Sequence, residues 1–319
     1  PQIWILSLQG GEAYRVTSSE FGAFAPQWSP DGKKLLFSSA VPDWASESGP
    51  TWPYERPGRA FGDAPNWQKM ELDKKRNAKE KASAPEKNED EPFKADPDGT
   101  LEEIRAWLAK NASKGDPKVI NRTNFQAELQ LQQGIGFSHL FVCPAEADAK
   151  ATQLTKGMQS FYGADWSPDG KSIVCSSVKY KNHPDRTVDG DIWMLKTDGS
   201  EAQLLLDWDG YIVYSPIFSP DGKTLLFMAA DQNDYVYAMR QLATMDLTTK
   251  KPRPLTFTFD RSVSGYYWSE DGRFVYFVSP DQGDFPLYRI PATGGEVQTV
   301  VGGDKGVRDF DVSAQRLMY

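Results

Sequence analysis

Histidine and cysteine are scarce, with two of each among 319 residues, and this scarcity limits the chemistry the chain can carry. His139 and His183 leave almost nothing from which to build a Ser-His-Asp triad. No Gly-x-Ser-x-Gly elbow occurs, and Gly136-Phe137-Ser138-His139-Leu140 lacks the last glycine and precedes a strand rather than a helix. There is no CxxC pair, HExxH helix or EF-hand loop, so no metal site and no cofactor is expected. Cys143 and Cys175 fall in expected strands of adjacent units and read as two small buried hydrophobes. No apolar run reaches membrane-spanning length, so no membrane span is expected. The chain also lacks a basic excess: net charge is −8 and the isoelectric point is near 5.0, which argues against a nucleic-acid partner.

What the chain has is a phrase said four times. It reads Trp28-Ser29-Pro30-Asp31-Gly32-Lys33, Trp166-Ser167-Pro168-Asp169-Gly170-Lys171, Phe218-Ser219-Pro220-Asp221-Gly222-Lys223 and Trp268-Ser269-Glu270-Asp271-Gly272-Arg273. Proline presets the second position of a type I turn, Asp suits the third, and Gly accepts the positive φ of a bulge. Each phrase is therefore a hairpin: the aromatic closes one strand and the apolar run that follows opens the next. Asp31, Asp169, Asp221 and Asp271 are explained by their turns and need no catalytic role.

A second motif alternates with the phrase. It is a display strand such as Ile192-Trp193-Met194-Leu195, followed by a turn and a short strand often ending in Leu-Thr, as at Leu154-Thr155 and Leu255-Thr256. Phrase plus display unit gives four short strands in about 50 residues, which is a β-propeller blade. The expected fold is all-β: a propeller of four-stranded blades over residues 1–319, partial or truncated, with one long insertion. Later phrases lie 52 and 50 residues apart, whereas the first gap is 138, so the insertion sits in the first complete blade, at 43–134. A worn fifth copy begins at Val312-Ser313 without the Asp-Gly. Two readings of the ends follow. Residues 3–17 could pair with 312–319 and close five blades, or the chain is part of a larger propeller; the second is preferred because a C-terminus rarely falls in mid-strand.

The insertion begins with a Trp-, Pro- and Gly-rich stretch, Trp44 to Trp67, expected to be irregular but packed. Residues 69–118 hold 12 basic and 12 acidic residues, so the net negative charge belongs to the propeller. Thr100-Leu101-Glu102-Glu103 is a capping box, and Leu101, Ile104 and Leu108 recur at helical spacing with Trp107 beside them. This predicts an amphipathic helix at about 101–111, docking on its own blade, a second domain or a second subunit, which leaves a homo-oligomer open. Sequons stand at Asn111 and Asn121.

The phrases and display strands resemble the repeats of TolB-like propellers and of the propellers of prolyl oligopeptidase-family serine peptidases. Within the insertion, Pro53-Tyr54-Glu55-Arg56-Pro57-Gly58-Arg59 and Asn121-Arg122-Thr123-Asn124-Phe125-Gln126-Ala127-Glu128 look like the acylaminoacyl-peptidase and dipeptidyl-peptidase branches. That resemblance implies a non-catalytic propeller that caps an active site and admits short peptides. The Ser-Asp-His triad would lie in an α/β-hydrolase domain C-terminal to this chain, and the peptide substrate would be bound through it. The triad cannot be carried over to any residue here. The resemblance also implies a periplasmic or secreted protein. Some dipeptidyl members grip the substrate's amino terminus with paired glutamates; Glu102-Glu103 is the only comparable pair on an expected helix. Its context departs from that motif, and Glu103 already has a capping role. The alternatives are a TolB-like module gripping a partner protein in the cell envelope, and a propeller lyase or glycan binder, for which no inner-strand cluster is evident.

Overall fold

The computed structural model describes residues 1–42, 45, 96–115, 136–178, 189–200, 202–233, 237–303, 306–313 and 316–318. It contains two compact units, one of residues 1–52 with 136–319 and one of residues 53–135. Trp44 and most of the aromatic stretch after it, both peptidase-like segments of the insertion, the Asn121 sequon and His183 lie outside the described residues.

Four sheets of the first unit are four-stranded antiparallel meanders. Blade 1 holds β3 (Phe24–Trp28), β4 (Lys34–Pro42), β5 (Gly136–Pro144) and β6 (Thr152–Gln153). Blade 2 holds β7 (Ser160–Trp166), β8 (Ser172–Val178), β9 (Gly190–Lys196) and β10 (Gln203–Leu206). Blade 3 holds β11 (Tyr211–Phe218), β12 (Thr224–Asp231), β13 (Gln241–Asp246) and β14 (Pro252–Pro254), and blade 4 holds β15 (Ser264–Trp268), β16 (Phe274–Val278), β17 (Leu287–Pro291) and β18 (Gln298–Val301). A hairpin of β1 (Trp4–Ile5) and β2 (Tyr14–Arg15) precedes them, and one of β19 (Asp311–Ser313) and β20 (Arg316–Met318) follows. These hairpins are two separate sheets, so the five-blade closure is not formed among the described residues. Instead Val312 and Phe310 pack on Val278 and Leu287 of blade 4. The insertion leaves and re-enters blade 1 at a single paired rung, Pro42 opposite Gly136.

The phrase builds the same turn each time. In blade 3, Ser219 Oγ donates to Asp221 Oδ1 at 2.7 Å and accepts from the Thr224 N–H at 2.9 Å. Asp221 Oδ1 also accepts from the Lys223 N–H at 3.1 Å. The pattern recurs around Ser29, Ser167 and Ser269. The four turn glycines have φ between 68° and 70°, where a Cβ is costly. Asp31, Asp169, Asp221 and Asp271 are held below the usual carboxylate range, first by their serine hydroxyls and then by the following N–H; Asp271 falls to about 2. Glu270 takes the proline position without changing this geometry, because that position needs a common backbone conformation rather than a ring.

Each second strand carries an apolar run because both of its faces are covered there. On β12, Leu225, Phe227 and Ala229 enter the core shared with blade 2, while Leu226 and Met228 enter the core shared with blade 4. The period-2 alternation of a strand sends neighbouring residues to opposite faces. The phrase aromatic packs back onto the preceding blade. Trp166 (5% exposed) sits with Leu36, Leu140 and Val142 of blade 1, and Trp268 (9%) with Leu226, Met228 and Leu242 of blade 3. Trp28, with only the short β1–β2 hairpin before it, is 50% exposed.

In the second unit, α1 spans Leu101–Gly115, four residues longer than expected. Thr100 N donates to Glu103 Oε2 at 2.7 Å, and the Glu103 N–H donates to Thr100 Oγ1 at 3.4 Å, which forms the capping box. Ile104 and Trp107 are half-buried, while Leu101 and Leu108 are exposed.

Candidate functional site

The first strands of the four blades share a feature that the repeat pattern does not announce. Each carries a bulge, between Phe24 and Gln27, Tyr162 and Asp165, Tyr214 and Ile217, and Ser264 and Tyr266. At each bulge one residue, three before the phrase aromatic, adopts positive φ: Ala25 (48°), Gly163 (56°), Ser215 (52°) and Gly265 (50°). For Ala25 and Ser215 this conformation stores about 1 kcal/mol or more of strain. A Cβ on Gly163 would stand 3.0 Å from the Cα and Oγ of Ser215, so the bulges of adjoining blades nest and glycine is needed there. Bulges re-aim the side chains beside them.

The re-aimed groups tie blade to blade. Asp165 on β7 accepts from Gln27 Nε2 of β3 at 3.4 Å and from the Phe218 N–H of β11 at 2.8 Å. Ser215 N donates to Ser176 Oγ at 2.6 Å, and the Tyr266 hydroxyl of β15 donates to the Ser215 carbonyl. Burial pushes the Asp165 carboxyl up to about 6, against the opposing pull of the Phe218 and Gln27 hydrogen bonds. Burial, with Tyr214 and Asp165 nearby, pushes the Tyr266 phenol up. An aspartate that titrates near neutrality could move a proton, but its partners are a backbone N–H and an amide. This cluster therefore reads as a latch across four blades.

Among the described residues no catalytic triad is brought together. His139 lies inside β5; it is buried, its Nδ1 is 3.2 Å from Thr155 Oγ1, and among the described residues no carboxylate orients it. Burial pushes its imidazole down, away from the charged form. It lines a cavity of about 400 Å³ with Ser39, Phe141, Gln153 and Lys150. Cys143 and Cys175 are buried and free, and burial raises both thiols. Glu102 and Glu103 lie in the first turn of α1, with Glu103 engaged by Thr100. One grouping escaped the sequence motifs: Asp189, Asp191 and Asp207, whose carboxylates come together from two strand ends and could hold a cation. A motif search misses it because 16 positions separate Asp191 from Asp207. The available signal was a departure from the repeat, with Leu206-Asp207 where blades 1 and 3 have Leu-Thr.

Four stacked four-stranded meanders, joined along their first strands, define a β-propeller. No protein-family model matches the chain. It is 28% identical over 158 residues to dipeptidyl-peptidase 5 of Porphyromonas gingivalis, covering 49% of this chain and 22% of that protein. It is 31% identical over 144 residues to a probable dipeptidyl-peptidase 5 of Emericella nidulans, covering 41% and 19%. The chain thus spans about a fifth of the length of the curated relatives it matches. Among solved structures, the acylaminoacyl peptidase of Pyrococcus horikoshii superposes with TM-score 0.56 at 17% identity, over 99% of this chain and 37% of that one. The β-propeller domain of the trilobed protease of Pyrococcus furiosus gives 0.52 at 14%, over 98% and 65%. The structural likenesses show the fold, and the sequence likeness adds the relationship. The chain is a β-propeller whose sequence is similar to that of dipeptidyl-peptidase 5.

Proposed function

We propose that this chain is the non-catalytic propeller of a serine peptidase of the dipeptidyl- or acylaminoacyl-peptidase kind, and that it caps the active site and restricts entry to short peptides. The observation that supports it is the match to dipeptidyl-peptidase 5, carried by a chain that folds as stacked blades and brings no triad together among its described residues. In this reading the hydrolase domain follows the propeller in the same polypeptide, and peptides reach it past the inner strands that Asp165 and Tyr266 latch together. The experiment has two parts. The encoding gene is read beyond Tyr319 for a Gly-x-Ser-x-Gly elbow, and the whole product is assayed on dipeptidyl and acylaminoacyl chromogenic peptides of increasing length. Cleavage that falls off with peptide length, and is relieved by loosening the latch with Asp165→Ala, is expected. A gene with no hydrolase domain, or a peptidase indifferent to substrate length, would overturn the proposal.

A further inference from the structure

In three of the repeat units a side-chain pair bolts the start of the third strand to the end of the fourth. Thr17, Thr155 and Thr256 each accept, through Oγ1, the backbone N–H of Ile3, Leu140 or Leu242, at 2.8–2.9 Å. Each threonine also meets the residue just before that N–H: Gln2, His139 or Gln241. Blade 4 has Pro286 and Gly302 at these positions, and blade 2 departs from the rule in another way. Leu206 pairs with Ile192, so the two bolt positions there are Asp191 and Asp207. Two acceptors replace a donor–acceptor pair. Asp189, two residues upstream of Asp191 and therefore on the same side of the strand, adds a third carboxylate.

One ligand oxygen from each of the three aspartates lies within 4.8 Å of the others, with Asp189 and Asp191 buried and Asp207 exposed. Oxygens bound to one calcium ion at roughly 2.4 Å are separated by at most about 5 Å, so the three fit a single coordination sphere. A second observation points to the same place. Ser177 lies opposite Asp191 in the β8–β9 register, on the same face of the sheet. Its hydroxyl is fully buried and has no hydrogen-bond partner. The equivalent serines of blades 1 and 4 are satisfied, Ser39 by the Ser19 hydroxyl and Ser279 by the Ser262 carbonyl. In blade 2 the counterpart of Ser19 is Gly157, which has no side chain to offer. The scaffold is also stiff. Gly190, between two of the aspartates, is packed so closely that a Cβ would stand 2.7 Å from Ile212 and 2.9 Å from the Val213 carbonyl.

We propose that Asp189, Asp191 and Asp207, with Ser177 behind them, form a calcium-binding site in place of the threonine bolt of blades 1 and 3. A hard, all-oxygen donor set of three carboxylates suits calcium rather than zinc or copper. The opening left by exposed Asp207 gives the ion a way in and room for water ligands. The ion joins the three carboxylates into the clamp between third and fourth strands.

The test uses the intact protein, stripped with EDTA and titrated with calcium chloride or terbium chloride. Trp208, adjacent to Asp207, serves as the antenna for terbium emission. The wild type is expected to give saturable terbium emission that calcium displaces, and an unfolding temperature that rises with calcium. Asp207→Thr, which installs the residue of blades 1 and 3, is expected to lose at least tenfold in calcium affinity. Asp189→Asn provides the same affinity readout should Asp207→Thr fail to fold. A wild type with no calcium-dependent shift and no displaceable terbium signal would overturn the site, as would variants that keep both.

Discussion

The carboxylate of Asp165 in blade 2 accepts the backbone N–H of Phe218 in blade 3 at 2.8 Å, so an ionisable group joins two blades at the phrase aromatic. Burial raises its pKa from an unfolded value near 3.8 to about 6. Between those values the folded state binds more protons than the unfolded one, so stability falls as pH rises. The contribution is fully present below pH 3.8 and lost as pH passes 6. The turn aspartates act oppositely: their lowered pKa values give stability above the unfolded value that is lost on acidification. Stability should therefore peak between about pH 4 and 6. Asp165→Asn should remove the loss toward neutrality, gaining up to about 3 kcal/mol over wild type at pH 8 relative to pH 4. Denaturant midpoints for both proteins across that range check this, and parallel curves would refute it.

The phrase aromatics should divide by what lies behind them. Trp166 and Trp268 fill inter-blade cores, whereas Trp28 is half exposed. Truncating either buried tryptophan to Ala should cost about 3–5 kcal/mol, and Trp28→Ala less than about 1. Phenylalanine should be a mild change at 166 and 268. It already serves as Phe218 in the third phrase, and the buried indole N–H groups of Trp166 and Trp268 have no hydrogen-bond partner to lose. Equilibrium unfolding of the five variants tests the ranking; a Trp28→Ala loss equal to that of Trp166→Ala would contradict it.

The blades were legible because the phrase residues act within six positions of one another. Ser219, Asp221 and Gly222 determine their turn without help from the rest of the chain, and the apolar runs after them report burial on both faces. The bulges were not legible. Ala25 and Ser215 take positive φ although neither residue prefers it, and Ser215 does so against Gly163 of the adjoining bulge, a contact no local pattern reports. The Asp165 latch joins residues 53 positions apart through a backbone N–H, which leaves no mark on residue type. The acidic grouping was half legible: Asp207 departs from the Leu-Thr ending, but its meaning depends on Asp189 and Asp191 arriving from another strand.

Within the turn, the serine should matter more than the proline. Ser219 Oγ satisfies the Thr224 N–H and engages Asp221, so Ser219→Ala leaves a part-buried donor unpaired. It should cost about 1–3 kcal/mol. Pro220→Ala should cost only about 0.4–1 kcal/mol, through the greater freedom of the unfolded chain. The fourth phrase, which keeps Ser269 but has Glu270, already follows this order. Urea midpoints of the two single variants measure it; a larger loss for the proline variant would show that ring packing, rather than the serine bonds, governs the turn.

The last prediction separates the two roles open to Glu102 and Glu103. Thr100 and Glu103 exchange hydrogen bonds across the first turn of α1, which satisfies donors that the helix itself leaves open. Thr100→Ala should weaken the helix by about 0.5–2 kcal/mol and speed amide exchange at residues 104–108, while Glu103→Gln, which can still accept, should change exchange little. Glu102, exposed on the same turn, should alter neither when changed to Gln. A substrate clamp gives a different pattern, because both glutamates would have to be charged to hold a peptide's amino group. Glu102→Gln and Glu103→Gln would then each raise KM at least tenfold in the whole enzyme, with exchange unchanged. Capping alone predicts an unaltered KM for both variants, so measuring exchange and KM on the same three proteins decides between a helix cap and a binding pair.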